Sequence, residues 1–169
     1  MSNELLRVTW KAEVLVSELR GLLQSGPIIR IVHRFREPGA QCRPGEEVWA
    51  AFLIVQGKEI PLRLTLALRL LLDYLARSKH VPQSAAQIAA GMRASEFYLR
   101  HSANGGVISR RKFARSSIKE YVKRVRRALE VAFSDAGYQF EPSRVLVSLS
   151  TFGNERLYQL RARIELVHI

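Results

Sequence analysis

The sequence predicts an α+β fold, and three observations predict it. Two β-branched and aromatic runs lie near the N-terminus, three segments between Thr65 and Phe133 place apolar residues at helical spacing, and two segments after Gly137 alternate as strands do. The expected order is a helix, a small antiparallel sheet, three helices and a hairpin. A chain of 169 residues has the length for one ordinary domain with a real core, or for a compact domain plus an appendage, and a hydrophobic fraction of 47% supplies enough apolar surface to offset the entropy of ordering it.

The first helix spans 3–24, where Leu5, Leu6, Val8, Leu15, Leu19, Leu22 and Leu23 form one broad apolar face, and Gly21 followed by Ser-Gly-Pro at 25–27 ends it. IIRIVHRF at 28–35 and VWAAFLIVQ at 48–56 read as strands around a Pro/Gly loop. A turn at Gln56-Gly57 leads into a short third strand at 59–64. From Thr65, an available N-cap, Leu66, Leu70, Leu71, Tyr74 and Leu75 recur at helical spacing. Ser84 can cap a short Ala-rich helix that buries Ala85, Ile88 and Ala89. Residues 93–113 read as a partly helical connection with a turn at Asn104-Gly105-Gly106. A long helix follows, with Ile118, Val122, Val125, Leu129 and Ala132 or Phe133 on one face. After the Gly137 stop, 145–150 and 156–166 read as two strands joined by Thr151-Phe-Gly-Asn-Glu155.

Charge is distributed unevenly. The net charge is +12, yet residues 91–127 hold eleven Lys and Arg against two acids, so +9 of it lies in that window. Five of these cations fall between Lys119 and Arg127 on the long helix, with Glu120 alone among them. Solvated faces ordinarily mix signs, because opposite charges four residues apart are mildly stabilising and like charges are not. A cationic cluster of this kind predicts a polyanion partner, since neutralising phosphates releases condensed counterions. A short helix, a turn and a longer basic helix make a helix-turn-helix, with the following hairpin where a wing would lie.

These residues resemble a known family. Thr65 to Leu75, Val81 to Met92, and Ala114 to Leu129 with its Arg124-Val-Arg-Arg-Ala-Leu129 core look like the winged helix of OmpR-type response-regulator effectors. They are closer still to the DNA-binding domain of antibiotic-pathway activators of the SARP type. Val145 to Thr151, Gly153 and Tyr158-Gln-Leu160 match the family's terminal hairpin, and the likeness covers about residues 48–162. The resemblance implies a winged helix-turn-helix with a four-stranded N-terminal sheet, a three-helix core and a C-terminal wing, its third helix in the major groove. It also implies a bacterial, cytoplasmic transcription regulator binding double-stranded DNA as a homodimer on repeated half-sites, with RNA polymerase as a second partner. On this reading residues 1–26 are an N-terminal helix for packing or dimerisation and 27–169 the DNA-binding domain. The chain departs from the family in having Leu68 where an acid is frequent and a longer 93–113 connection. A receiver domain is not expected, so phosphorelay control does not carry over.

Resemblance and face geometry together assign groove contacts to Lys119, Lys123, Arg124 and Arg126, with Arg127 on the same polar side and Arg124 at its boundary. Ser116, Ser117 and Tyr121 are candidates for phosphates near the helix start, and Arg110, Arg111, Lys112 and Arg115 for the sugar–phosphate backbone. Arg156 in the hairpin is a candidate for a minor groove or a phosphate. Two alternatives stay open: a plasmid or phage replication or partition factor, and a basic module docking an acidic protein or membrane surface. An enzyme is not expected, nor a cofactor or metal. Glu46-Glu47 is the one adjacent acidic pair, Cys42 is the single cysteine, and His33, His80, His101 and His168 lie far apart. No phosphate-loop motif follows Gly105-Gly106. The charged start lacks a signal-peptide core, and no apolar run is long enough to span a bilayer. Trp10 and Trp49 are expected in the core or an interface.

Overall fold

β-Branched residues build the first layer. In the computed structural model, which describes residues 16, 17, 19–21, 24–33, 48–94 and 113–169, strands β1 (Ile28–His33), β2 (Val48–Val55) and β3 (Lys58–Pro61) form an antiparallel meander. Ile29, Ile31, Ala51, Leu53 and Val55 point to one face and are buried, as the period of two requires. On the opposite face Arg30 bridges the strands, pairing with Glu59 on β3 and, at 2.9 Å, with Glu165 near the C-terminus. β3 ends at Pro61, earlier than the expected 64. Of the expected N-terminal helix, the described positions between 16 and 25 are helical, and Gly21 lies inside the helix: Ser25 Oγ donates to its carbonyl.

Three helices follow, the first and third packed on the buried face and the second packed against both of them. α1 (Leu66–Arg77) buries Leu68, Leu70, Leu71, Leu72 and Leu75. Thr65 stands at its N-cap position without a side-chain cap bond. α2 (Ala85–Arg93) begins with a full capping box, since Ser84 Oγ accepts from Gln87 N and Gln87 Oε1 accepts from Ser84 N. α3 (Arg115–Asp135) buries Ile118, Val122, Val125, Leu129, Ala132 and Phe133, the expected stripe. Each large apolar side chain of that stripe, fully buried, contributes about 1.5–3 kcal/mol. The C-terminus of α3 closes in a Schellman motif. Tyr138 N donates to Phe133 O, Gly137 N donates to Ser134 O, and Gly137 takes φ +69°, which a side chain would strain. Lys58 Nζ, reaching from the start of β3, donates to Ala136 O and places a cation at the negative end of the helix.

α1 and α2 approach closely at one glycine. A Cβ on Gly91 would lie 2.0 Å from Cε2 of Tyr74, whose hydroxyl is fixed by Gln83 Oε1 at 2.8 Å. Gly91→Ala is therefore expected to destabilise by about 1–3 kcal/mol although alanine favours helices. In a Tyr74→Ala background the same change should be neutral or stabilising, and a double-mutant cycle from denaturation midpoints measures the difference.

The C-terminal segment corrects the sequence reading. After the short helix α4 (Pro142–Val145), β5 (Leu146–Ser150) and β6 (Arg156–Leu160) form the expected hairpin, and the two-residue strand β4 (Gln83–Ser84) adds to it in the order β4-β6-β5. The expected single strand 156–166 is instead two. Arg161 N still donates to Val145 O at 2.7 Å, in register with the β5–β6 ladder and one position beyond it, Ala162 is fully buried, and β7 (Arg163–His168) then pairs parallel to β1. The first sheet is thus four-stranded, β3-β2-β1-β7, but its fourth strand is the C-terminal one rather than an N-terminal one. His168 on β7 stacks on its register partner His33, whose Nε2 lies 2.8 Å from Asp73 Oδ1 of α1, so chain end, sheet and first helix meet. The architecture is α+β. No helix among the described residues is long and apolar enough to cross a membrane.

Candidate nucleic-acid interface

Local sequence orients α3. Its dry stripe faces the core, which turns the row Lys119, Lys123 and Arg127, spaced four residues apart, toward solvent, and all three are exposed. The N-terminal end has the polarity that favours an anion. Ala114 occupies the N-cap without a side-chain bond, the first turn holds no acid, and Arg115 and Ser116 there are exposed. Arg93 Nη1 at the end of α2 donates to Phe113 O at 2.7 Å, which fixes the start of α3 against its neighbour.

On one flank, Arg124 Nε donates to Glu120 Oε1 at 3.2 Å across one turn. Both side chains are more than half exposed, so this pair is worth little and exchanges readily for another anion. Beside it Ser117 bonds to the half-buried Tyr121. Burial pushes the Tyr121 hydroxyl above the ordinary tyrosine value, while the Arg124 charge and the Ser117 bond pull it down.

Arg126 differs from its neighbours. Its Nε donates to Leu146 O at 2.8 Å and its Nη2 to Ser148 Oγ at 2.7 Å, both on β5. Burial holds the guanidinium below the ordinary arginine value, Tyr158 opposes that, and the nearby charge of Arg156 adds to it. Two sequence assignments are corrected here. Arg126 is a tether between helix and hairpin and not a cation on the open face, whereas Arg124, expected at the boundary, is open.

The hairpin continues from that tether. Leu146, Ser148 and Ser150 alternate onto one face and lie opposite Leu160, Tyr158 and Arg156 in register. Leu146, Tyr158 and Leu160 are buried on this face and Ser148 holds Arg126, so Arg156, exposed and farther out, belongs to the α3 side. Arg156 therefore joins the helix cations in one surface. Arg110, Arg111 and Lys112 lie outside the described residues, as do Trp10, Cys42, Glu46, Glu47 and most of the 93–113 connection. Among the described residues no cluster of His, Cys, Asp or Glu has the makings of a metal site.

One exposed group was not assigned from sequence. Phe152, at the hairpin tip, is fully exposed, and its only sequence signal was an aromatic residue among turn formers. Compared with family models, curated proteins and solved structures, the chain matches none.

Proposed function

We propose that this protein is a sequence-specific double-stranded-DNA-binding transcription regulator, a winged helix-turn-helix of the OmpR-like kind in which α3 is the recognition helix and the β5–β6 hairpin the wing. One observation carries the reading: α3 is dry along one side and carries exposed Lys119, Lys123, Arg124 and Arg127 along the other, beside a hairpin that adds Arg156. An α-helix fits the major groove, and arginine forks onto guanine there. Lys119, Lys123 and Arg127 are suited to phosphates or base edges, Arg124 to base edges once it leaves Glu120, and Arg115 and Ser116 to a phosphate at the helix start. Binding as a homodimer to paired half-sites in the cytoplasm belongs to the same proposal, as does contact with RNA polymerase.

Selection from random duplex DNA at physiological salt is the test. Enrichment of one motif supports the reading, and recovery without sequence preference removes the specific-regulator assignment. With the selected duplex, replacing Lys119, Lys123 and Arg127 together by alanine is expected to reduce the slope of log affinity against log salt by about 0.9 for each phosphate left unneutralised. An unchanged slope would place the nucleic acid on another face.

A further inference from the structure

The tip of the hairpin carries a group that phosphate binding does not need. Phe152 is completely exposed, while the other exposed large apolar residues among those described, Val16, Val81, Val131, Leu166 and Ile169, lie elsewhere in the fold. Its position is built. Thr151 N and Oγ1 both donate to Glu155 O, Asn154 N donates to Thr151 O, and Asn154 takes φ +57°, so the turn closes on itself and leaves the ring outside.

We infer that Phe152 is a wedge that enters a base step of duplex DNA from the minor groove, unstacking it and bending the helix. This rests on the duplex-binding reading above. Its neighbours in the chain are Ser150, Thr151, Gly153, Asn154 and Glu155, so among the described residues the tip offers one aromatic ring and no apolar patch of the size that protein docking requires. A base step takes one ring, and apolar wedges are inserted into minor-groove steps in this way. Charge favours the same partner: Arg156 follows the turn on the α3 side, beside the helix cations, although Glu155 subtracts from it. Reach agrees as well. Phe152 lies four positions beyond Ser148, where Arg126 anchors the hairpin, a reach of up to about 13 Å along the chain, and the major groove is about 12 Å wide. With α3 in that groove, the tip passes the bordering sugar–phosphate strand and meets the minor groove beyond it.

The test uses the full chain and the duplex recovered by selection, carrying 2-aminopurine at successive positions in one set and a donor–acceptor dye pair at its ends in another. The wild-type protein should brighten 2-aminopurine at one step and shorten the end-to-end distance. Phe152→Ala should lose both signals and bind about 5- to 150-fold more weakly, the range for loss of one base–aromatic stack, with its salt slope and melting temperature unchanged. Phe152→Trp should keep the bend, with its indole fluorescence quenched on binding. Equal bending and affinity for Phe152→Ala would overturn the wedge and leave the duplex-binding reading standing. So would a Phe152→Ala protein that loses only self-association in sedimentation, which would assign the ring to a protein contact. Failure of the wild-type chain to bind any duplex overturns both.

Discussion

Phe133→Ala is expected to lower the free energy of unfolding by about 3–5 kcal/mol, measured as a shift in urea midpoint at constant slope. Phe133 is 2% exposed and among the largest fully buried side chains of the described residues. Its ring packs 5.3 Å from Phe140 and 6.1 Å from Tyr138, centroid to centroid, and its carbonyl receives Tyr138 N in the Schellman motif. Truncation would therefore open a cavity and loosen the segment that turns α3 toward α4. Against a total stability of about 5–15 kcal/mol, such a loss is large. Val131→Ala, on the same helix but 49% exposed, is expected to stay within about 0.5 kcal/mol. Equal losses from the two variants would contradict a helix buried on one side, and with it the orientation of the cationic row.

What periodicity encodes was legible in the sequence, and what it does not encode was missed. The α3 stripe, the Ser84 cap and the Gly137 stop each have a local cause, an apolar repeat, a side-chain acceptor and a left-handed residue, so each is readable from neighbours in the chain. The break between β6 and β7 has no such signal. Tyr158, Leu160, Ala162 and Ile164 keep the same inward parity across it, so alternation continues while the chain changes sheets. β4 is two residues long, too short for any period, and α4 is a single turn. In the candidate site, charge was legible but its allocation was not. Arg124 and Arg126 flank Val125, and only the position of β5 decides which guanidinium is engaged by the fold.

That allocation leads to the second large effect. Arg126→Met keeps an unbranched apolar stem but removes both donors, leaving Leu146 O and Ser148 Oγ without them. An acceptor orphaned in a partly buried site costs about 1–3 kcal/mol, so the melting temperature should fall. The hairpin then loses its side-chain tie to α3, and Arg156 and Phe152 lose their fixed placement relative to Lys123 and Arg127. Duplex affinity should accordingly drop by about tenfold or more, the equivalent of some 1.4 kcal/mol, while the salt slope stays near its wild-type value because Arg126 neutralises no phosphate. Lys123→Met should behave oppositely: little change in melting, and a slope smaller by about 0.9. Arg126→Lys should recover only part of the loss, since a single ammonium does not reproduce the guanidinium fork that spans two acceptors. A reduced slope and unaltered melting for Arg126→Met would show that this side chain meets the nucleic acid directly, and the tether would then have to be given up.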